Sequence, residues 1–380
     1  MRFAAALAVT GLVTLGLPIT ASAAPAQCAN PSGTYSGPVS WGQKLIDPPR
    51  LWPLTRGAGQ LVAVIGTGVD GRNAQFAPGQ LLGGASSDCD GRGTVAAGIV
   101  AAQPDPSTTF TGVAPGARIL PIAYDQTNEG GDPGALAAAI DTAVEREAGV
   151  VLVAVPAAFD SPALSAAVSR ARDRGAVVVS PAAATQQGAR TYPTATSGVL
   201  AVGSINQAGE PVQTESGDYV GLSAPGADLV STSAGAGGSV GHRWPVTDPG
   251  LAAAYVAGVA ALVRAYHPDL TGDQVVTRLT LTAHRPSTGG HDPRRGWGVV
   301  DAYAALASTL PANAAAPGSV PSASAPPAVI PAAAPSHPAS DTVAGTIALA
   351  GVALAAAAGV TVAAIRRARR RGWRPSRFTP

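Results

Sequence analysis

Apolar residues along this chain occur in two spacings. Runs of four to six, rich in Val, Ile and Leu, lie at 61–65, 119–123, 150–155, 176–180 and 199–202, the fourth ending on Ser180. Runs without polar alternation predict strands covered on both faces, as in a parallel sheet. Between them, residues 94–102, 134–147 and 161–174 carry helical signals, the last opened by Ser161 as cap and Pro162 at the first helical position. Strands alternating with helices predict an α/β fold with a mainly parallel central sheet. A Gly-rich and Ser-rich stretch, 216–242, then predicts turns and short strands. After it come a small-residue helix at 250–266 and a second helix opening on the capping box Thr271-Gly272-Asp273-Gln274.

The flanks follow other rules. Residues 1–23 hold Arg2, an apolar run from 3 to 17, a Pro18 break and an Ala21-Ser22-Ala23 close, the pattern of a cleaved signal peptide. Residues 24–60 are rich in Pro and Gly, with Trp41 and Trp52 as anchors, and predict an extension wrapped on a globular domain spanning 61–310. The Ala/Pro/Ser segment 311–342 is a spacer that cannot form a core. Residues 343–365 form an apolar run long enough to cross a bilayer, and the tail 366–380 carries seven arginines. The positive-inside rule places that tail in the cytoplasm and the main domain outside the cell membrane, tethered by a single pass.

Composition sharpens this picture in two places. The net charge is only +2, so the basic tail reads as a topology signal, with anionic lipid as an additional partner and nucleic acid excluded. The two cysteines, Cys28 and Cys89, would both be exported into an oxidising compartment, and their pairing is the expectation. Such a bridge would contribute about 4 kcal/mol by loop closure and pin the extension beside Arg92. Two thiols without nearby histidines make no zinc site, and no motif implies a metal or cofactor.

The segment from Cys89 to Ala102 reads as a polar turn followed by a helix of small residues capped by Thr94. Together with Trp52-Pro53-Leu54-Thr55-Arg56-Gly57-Ala58-Gly59, Gly112-Val113-Ala114-Pro115-Gly116-Ala117, Ala224-Pro225-Gly226, Tyr255-Val256-Ala257-Gly258 and Gly298-Val299-Val300-Asp301-Ala302, it resembles the mycosins. These are the membrane-anchored branch of the subtilisin-like serine proteases (peptidase S8) that accompanies type VII secretion. The resemblance runs from the signal peptide to the arginine tail. It implies a subtilisin-like three-layer fold with one C-terminal transmembrane helix, and a serine endopeptidase.

The positions that would carry that chemistry depart from the family pattern. Val-Ile-Asp-Thr-Gly is here Val64-Ile65-Gly66-Thr67-Gly68, so the carboxylate that orients a histidine is replaced by Gly66. The histidine of Gly-His-Gly-Thr is Arg92, a guanidinium that stays protonated and cannot serve as a base. The nucleophile of Gly-Thr-Ser-x-Ala-Ala-Pro-Tyr-Val is Gly250, in Asp248-Pro249-Gly250-Leu251. The oxyanion asparagine falls at Ala184, and the substrate-pairing segment reads Val153-Ala154-Val155-Pro156. Losing a triad nucleophile costs about 10⁶ in rate and an oxyanion donor a further ~10² to 10³.

No histidine precedes His242, so the remaining local set is His242 with Asp248 and Ser231, Ser233 or Ser239. A triad in a flexible loop lacks the support that catalysis needs, and His242 is expected to be a solvated loop residue. Asp70, Asp88 and Asp90 are expected to pair with Arg92 or be solvated. The reading is therefore an inactive mycosin-like pseudoprotease whose partners are the membrane proteins of a type VII secretion complex. The alternatives are an active endopeptidase, and a peptide-binding module anchored by Arg92, for which no second basic residue stands nearby in sequence.

Overall fold

Alternation along the strands decides which helices cover which face of the sheet. The structure is a computed structural model describing residues 28–317, except 85, 126–130, 185–189, 287, 288, 312, 313 and 316, together with Arg367. The expected signal segment 1–23, the apolar run 343–365 and all of the tail but Arg367 lie outside the described residues, as does most of the spacer. The chain divides into two units, Met1–Val320 and Pro321–Pro380, and the first holds the fold described below.

Six strands, β1 (Leu61–Gly66), β2 (Arg118–Ala123), β3 (Val150–Val153), β4 (Val177–Pro181), β5 (Leu200–Ile205) and β6 (Val220–Pro225), form one parallel sheet in the order β2-β1-β3-β4-β5-β6. Because successive side chains point to opposite faces, Val62, Val64, Leu152 and Val179 join one apolar cluster while Ala63, Ile65, Val151 and Val178 join another. The first cluster packs on helices α3 (Arg92–Ala101) and α6 (Pro249–Tyr266), the second on α4 (Pro133–Glu145) and α5 (Pro162–Asp173). This is the subtilisin-like three-layer arrangement. β6 follows no clean run in the sequence, since Gly221 and Ser223 interrupt its apolar residues. A two-stranded antiparallel ribbon, β7 (Leu229–Thr232) with β8 (His242–Val246), closes the α3 side.

Helix α6 is apolar and long enough to cross a membrane by composition, yet it is buried in the core of the domain. Its small residues, Ala252 to Ala254 and Ala257, let the helix lie close against the sheet. Helix α7 (Gly272–Thr282) carries the full capping box: Gln274 N–H donates to Thr271 Oγ1 at 3.2 Å, and Thr271 N–H to Gln274 Oε1 at 2.9 Å. Helix α5 starts on Ser161, whose Oγ accepts from Leu164 N–H at 3.1 Å.

The N-terminal segment carries two short helices, α1 (Trp41–Ile46) and α2 (Pro48–Leu51), which bury Ile46 and Leu51 in the first cluster. The indoles of Trp41 and Trp52 donate to Ala227 O at 2.9 Å and Val113 O at 3.1 Å. Cys28 and Cys89 are joined by a disulfide.

The α3 start differs from the sequence expectation. Its cap is Gly91, at φ 90°, and Thr94 sits inside the first turn. Asp88 takes over capping: its Oδ1 accepts from Gly91 N–H at 2.8 Å and its Oδ2 from Thr94 N–H at 2.7 Å and Thr94 Oγ1 at 2.6 Å. A carboxylate reaching from the preceding turn satisfies free amides at the helix start that a threonine cap at 94 would leave behind it.

Candidate functional site

The three positions that depart from the catalytic pattern converge at one end of the sheet. Gly66 closes β1 at its carboxyl end, where the strand order turns back from β2 to β3, the place where parallel sheets present a crevice. Arg92 is the first residue of α3, and Gly250 is the second of α6. Arg92 and Gly250 line the same two cavities, of about 30 and about 150 Å³, with Ala154 and Asp248. Gly66 faces the same wall: a Cβ on it would rest 3.5 Å from Ala154 Cβ and 3.6 Å from Val155 Cγ2.

At Gly250 the wall is tighter. A Cβ there would meet Ala154 O at 2.7 Å and Asp248 Oδ1 at 2.9 Å, so a side chain requires the backbone at residue 154 or the start of α6 to shift. Ala154 is held by its own N–H, which donates to Ile65 O at 2.8 Å. Ala184 lines the larger cavity with a methyl group, and its N–H donates to Gln213 O at 2.9 Å. Gly66, Arg92, Gly250 and Ala184, the expected triad and oxyanion positions, are thus brought close together, and none of the four carries a hydroxyl, imidazole, carboxylate or carboxamide group.

Charge at the site is organised around two arginines. Arg92 Nε donates to Asp90 Oδ1 at 2.7 Å, and of the three expected acids only Asp90 forms an ion pair with it. Asp88 caps α3. Asp70 binds Arg72 through both carboxylate oxygens at 2.9 Å and accepts from Gly235 N–H, and these bonds hold its pKa down at about 2. Asp248 Oδ1 accepts from Gly250 N–H at 2.6 Å, but burial dominates and raises its carboxyl above the ordinary range.

His242 is not the solvated loop residue expected. It lies in β8 with no exposed surface, its Nδ1 accepting from Tyr35 N–H at 3.0 Å and its Nε2 lying 2.6 Å from Gln75 Oε1. Burial lowers its pKa to about 4. Both ring nitrogens are committed, and the three serines point elsewhere: Ser231 donates to Val95 O, Ser233 to Ala234 O and Ser239 to Ala236 O. The alternative triad is not assembled.

The residue that sequence reading missed is Arg243, which lines the smaller cavity with Arg92. A second basic residue therefore stands beside Arg92, contrary to the expectation from sequence. The available signal was strand alternation: with His242 turned inward on β8, its neighbour Arg243 must face the other way. Among the described residues no group of three or more His, Cys, Asp or Glu is placed to hold a metal ion.

Comparison with known proteins agrees with this geometry. The subtilase (peptidase S8) family model matches residues 57–298. Mycosin-4 of Mycobacterium tuberculosis is 37% identical over 326 residues, covering 73% of this chain and 71% of that protein. The solved structure of MycP3 protease from the type VII (ESX-3) secretion system is 32% identical with TM-score 0.64, covering 74% of this chain and 93% of that one. A chain in the structure of an intact ESX-5 inner membrane complex is 28% identical with TM-score 0.66, covering 90% of this chain and 94% of that one. With β1, α3 and α6 delivering residues 66, 92 and 250 to one crevice, and with relatives of this identity and coverage, the chain belongs to the subtilase family and, within it, to the mycosins.

Proposed function

We propose that this chain is a non-catalytic mycosin that serves as a structural component of a type VII secretion membrane complex. The observation that carries the reading is the convergence of Gly66, Arg92 and Gly250 on one closed wall where the family places its catalytic groups. The coherence of the replacements has a physical logic. A buried carboxylate left without its histidine would cost a few kcal/mol, and Gly66 removes that cost while leaving β1 intact. The fold around the site remains capped and packed, as expected where selection preserves a surface and not a reaction. The likeness to a chain of an ESX-5 inner membrane complex over 90% of this chain supports the secretion setting.

In this reading residues 1–23 are cleaved on export and residues 24–60 wrap the 61–310 domain. The spacer 311–342 links that domain to a membrane helix at 343–365, and the arginine tail stays in the cytoplasm. The main domain then stands on the outer side of the membrane, in reach of the complex's membrane proteins.

The test is a secretion assay in a strain lacking the gene, complemented with the natural chain, alongside fluorophosphonate labelling of the purified protein. Rescue of secretion without labelling is expected. Labelling at a serine would replace the reading with an active endopeptidase, and undiminished secretion in the deletion strain would remove the structural role.

A further inference from the structure

We infer that the crevice left by the lost triad is a carboxylate-binding site, in which Arg92 and Arg243 grip an acidic side chain or the free C-terminus of a partner polypeptide. The inference rests on the non-hydrolytic reading above and adds a ligand to it.

The smaller cavity, about 30 Å³, is lined by Arg92 and Arg243 and otherwise mainly by apolar residues, among them Val95, Ala96, Val246 and Leu251. That volume suits a carboxylate head and not a bulky side chain. Arg243 is half-buried and, among the described residues, its guanidinium has no hydrogen-bonded or ion-paired partner. Its Nη1 lies 3.5 Å from where a Cβ on Gly91 would stand, which places the guanidinium against the start of α3. A half-buried guanidinium beside apolar walls is left with five donors to satisfy, and its planar fork matches the two oxygens of a carboxylate.

The surroundings favour an anion. Helices α3 and α6, of 10 and 18 residues, both have first-turn residues in the lining of this cavity, which puts it close to the positive ends of two helix dipoles. Asp248, the acid in the cavity lining, is engaged by Gly250 N–H, while Asp90, outside the lining, holds Arg92 in place through Nε and the Arg92 N–H at 3.2 Å. Burial further disfavours the charge on Asp248. Gly250 contributes no side chain to the cavity it lines.

The experiment uses the purified full chain in detergent and three short fluorescein-labelled peptides read by anisotropy. One has an internal glutamate and an amidated end, one is alanine-rich with a free C-terminal carboxylate, and one is alanine-rich and amidated. Saturable binding of one or both carboxylate peptides is expected, with none of the neutral peptide, and the peptide that binds identifies the source of the carboxylate. Arg243→Gln and Arg92→Gln should each weaken binding about ten-fold or more, and Arg243→Lys should retain part of it. Circular dichroism checks that each variant is folded. Binding unchanged in Arg243→Gln, or no binding of either carboxylate peptide to the natural chain, would overturn the site. Mass spectrometry of the recovered peptides separates the two readings: cleavage defeats the non-hydrolytic reading, whereas intact, unbound peptides defeat only the carboxylate site.

Discussion

Gly250 N–H donates to Asp248 Oδ1 at 2.6 Å, and that bond seals the start of α6 at the point where a nucleophile would have to stand. The same oxygen lies 2.9 Å from the position of a Cβ on Gly250, with Ala154 O at 2.7 Å on the other side. The wall at Gly250 is therefore closed by backbone and by the α6 cap.

Reinstating the three residues should not restore an enzyme. Gly66→Asp, Arg92→His and Gly250→Ser in one chain leaves Ala184 without a side-chain donor and forces the introduced hydroxymethyl group against Ala154 O. Fluorophosphonate labelling of this triple variant is expected to stay at the level of the natural chain, and the crowding should lower stability by about 1–3 kcal/mol. Strong labelling would show that the wall yields easily.

The disulfide should matter more to stability than to the shape of the crevice. Cys28 and Cys89 are 61 residues apart, and opening a loop of that length costs about 4 kcal/mol in the chain-entropy model. Replacing both by Ala is expected to lower the denaturation midpoint accordingly, measured by urea unfolding against the natural chain under non-reducing conditions. A loss below about 1 kcal/mol would mean that the backbone bond from Ala29 N–H to Cys89 O, with its neighbours, holds the segment unaided.

His242 makes the fold sensitive to acid. Its folded pKa of about 4 lies below the ordinary 6.5, so the unfolded chain binds the extra proton. The stability that depends on the neutral ring is complete above about pH 6.5 and is lost progressively as the pH falls to about 4. His242→Phe should lose about 1–3 kcal/mol at neutral pH, because Tyr35 N–H and Gln75 lose their partner, and should show a flatter loss across that window. Denaturant midpoints at a series of pH values measure both.

Glu215 works in the opposite direction. It is buried, with Thr191 N–H donating to Oε2 at 2.8 Å and Thr191 Oγ1 to Oε1 at 3.1 Å, and burial raises its pKa to about 7. Here the folded state binds the extra proton, so stability falls as the pH rises from about 4.5 to about 7. Glu215→Gln is expected to be more stable than the natural chain at about pH 8 and to lose that advantage below about pH 4.5, in the same midpoint series. Between about pH 4.5 and 6.5 the two groups offset each other, so only the single variants reveal either slope.

Arg278 holds the end of the domain. It is buried, and its guanidinium donates to Ala305 O at 2.5 Å, Leu306 O at 3.3 Å and Ser308 O, the carbonyls closing α8 (Ala302–Ala307). Arg278→Met keeps the apolar stem but strands those carbonyls, and should cost about 2–4 kcal/mol by thermal or urea unfolding.

What the sequence determined by itself is what depends on neighbours along the chain. Unbroken runs such as 61–65 specify buried parallel strands. Ser161-Pro162 and Thr271-Gly272-Asp273-Gln274 specify helix starts, because caps reach only three residues. That Gly66, Arg92 and Gly250 stand where the family pattern has other residues is legible because that pattern is local. The tertiary structure alone decided matters that join distant segments. His242 is buried because residues 32–35 and Gln75 close over it, more than 160 positions away in sequence. Arg243 meets Arg92 only because the β7–β8 ribbon lies against α3. Burial and charge proximity are sums over contacts made in space, and no spacing along the chain encodes them.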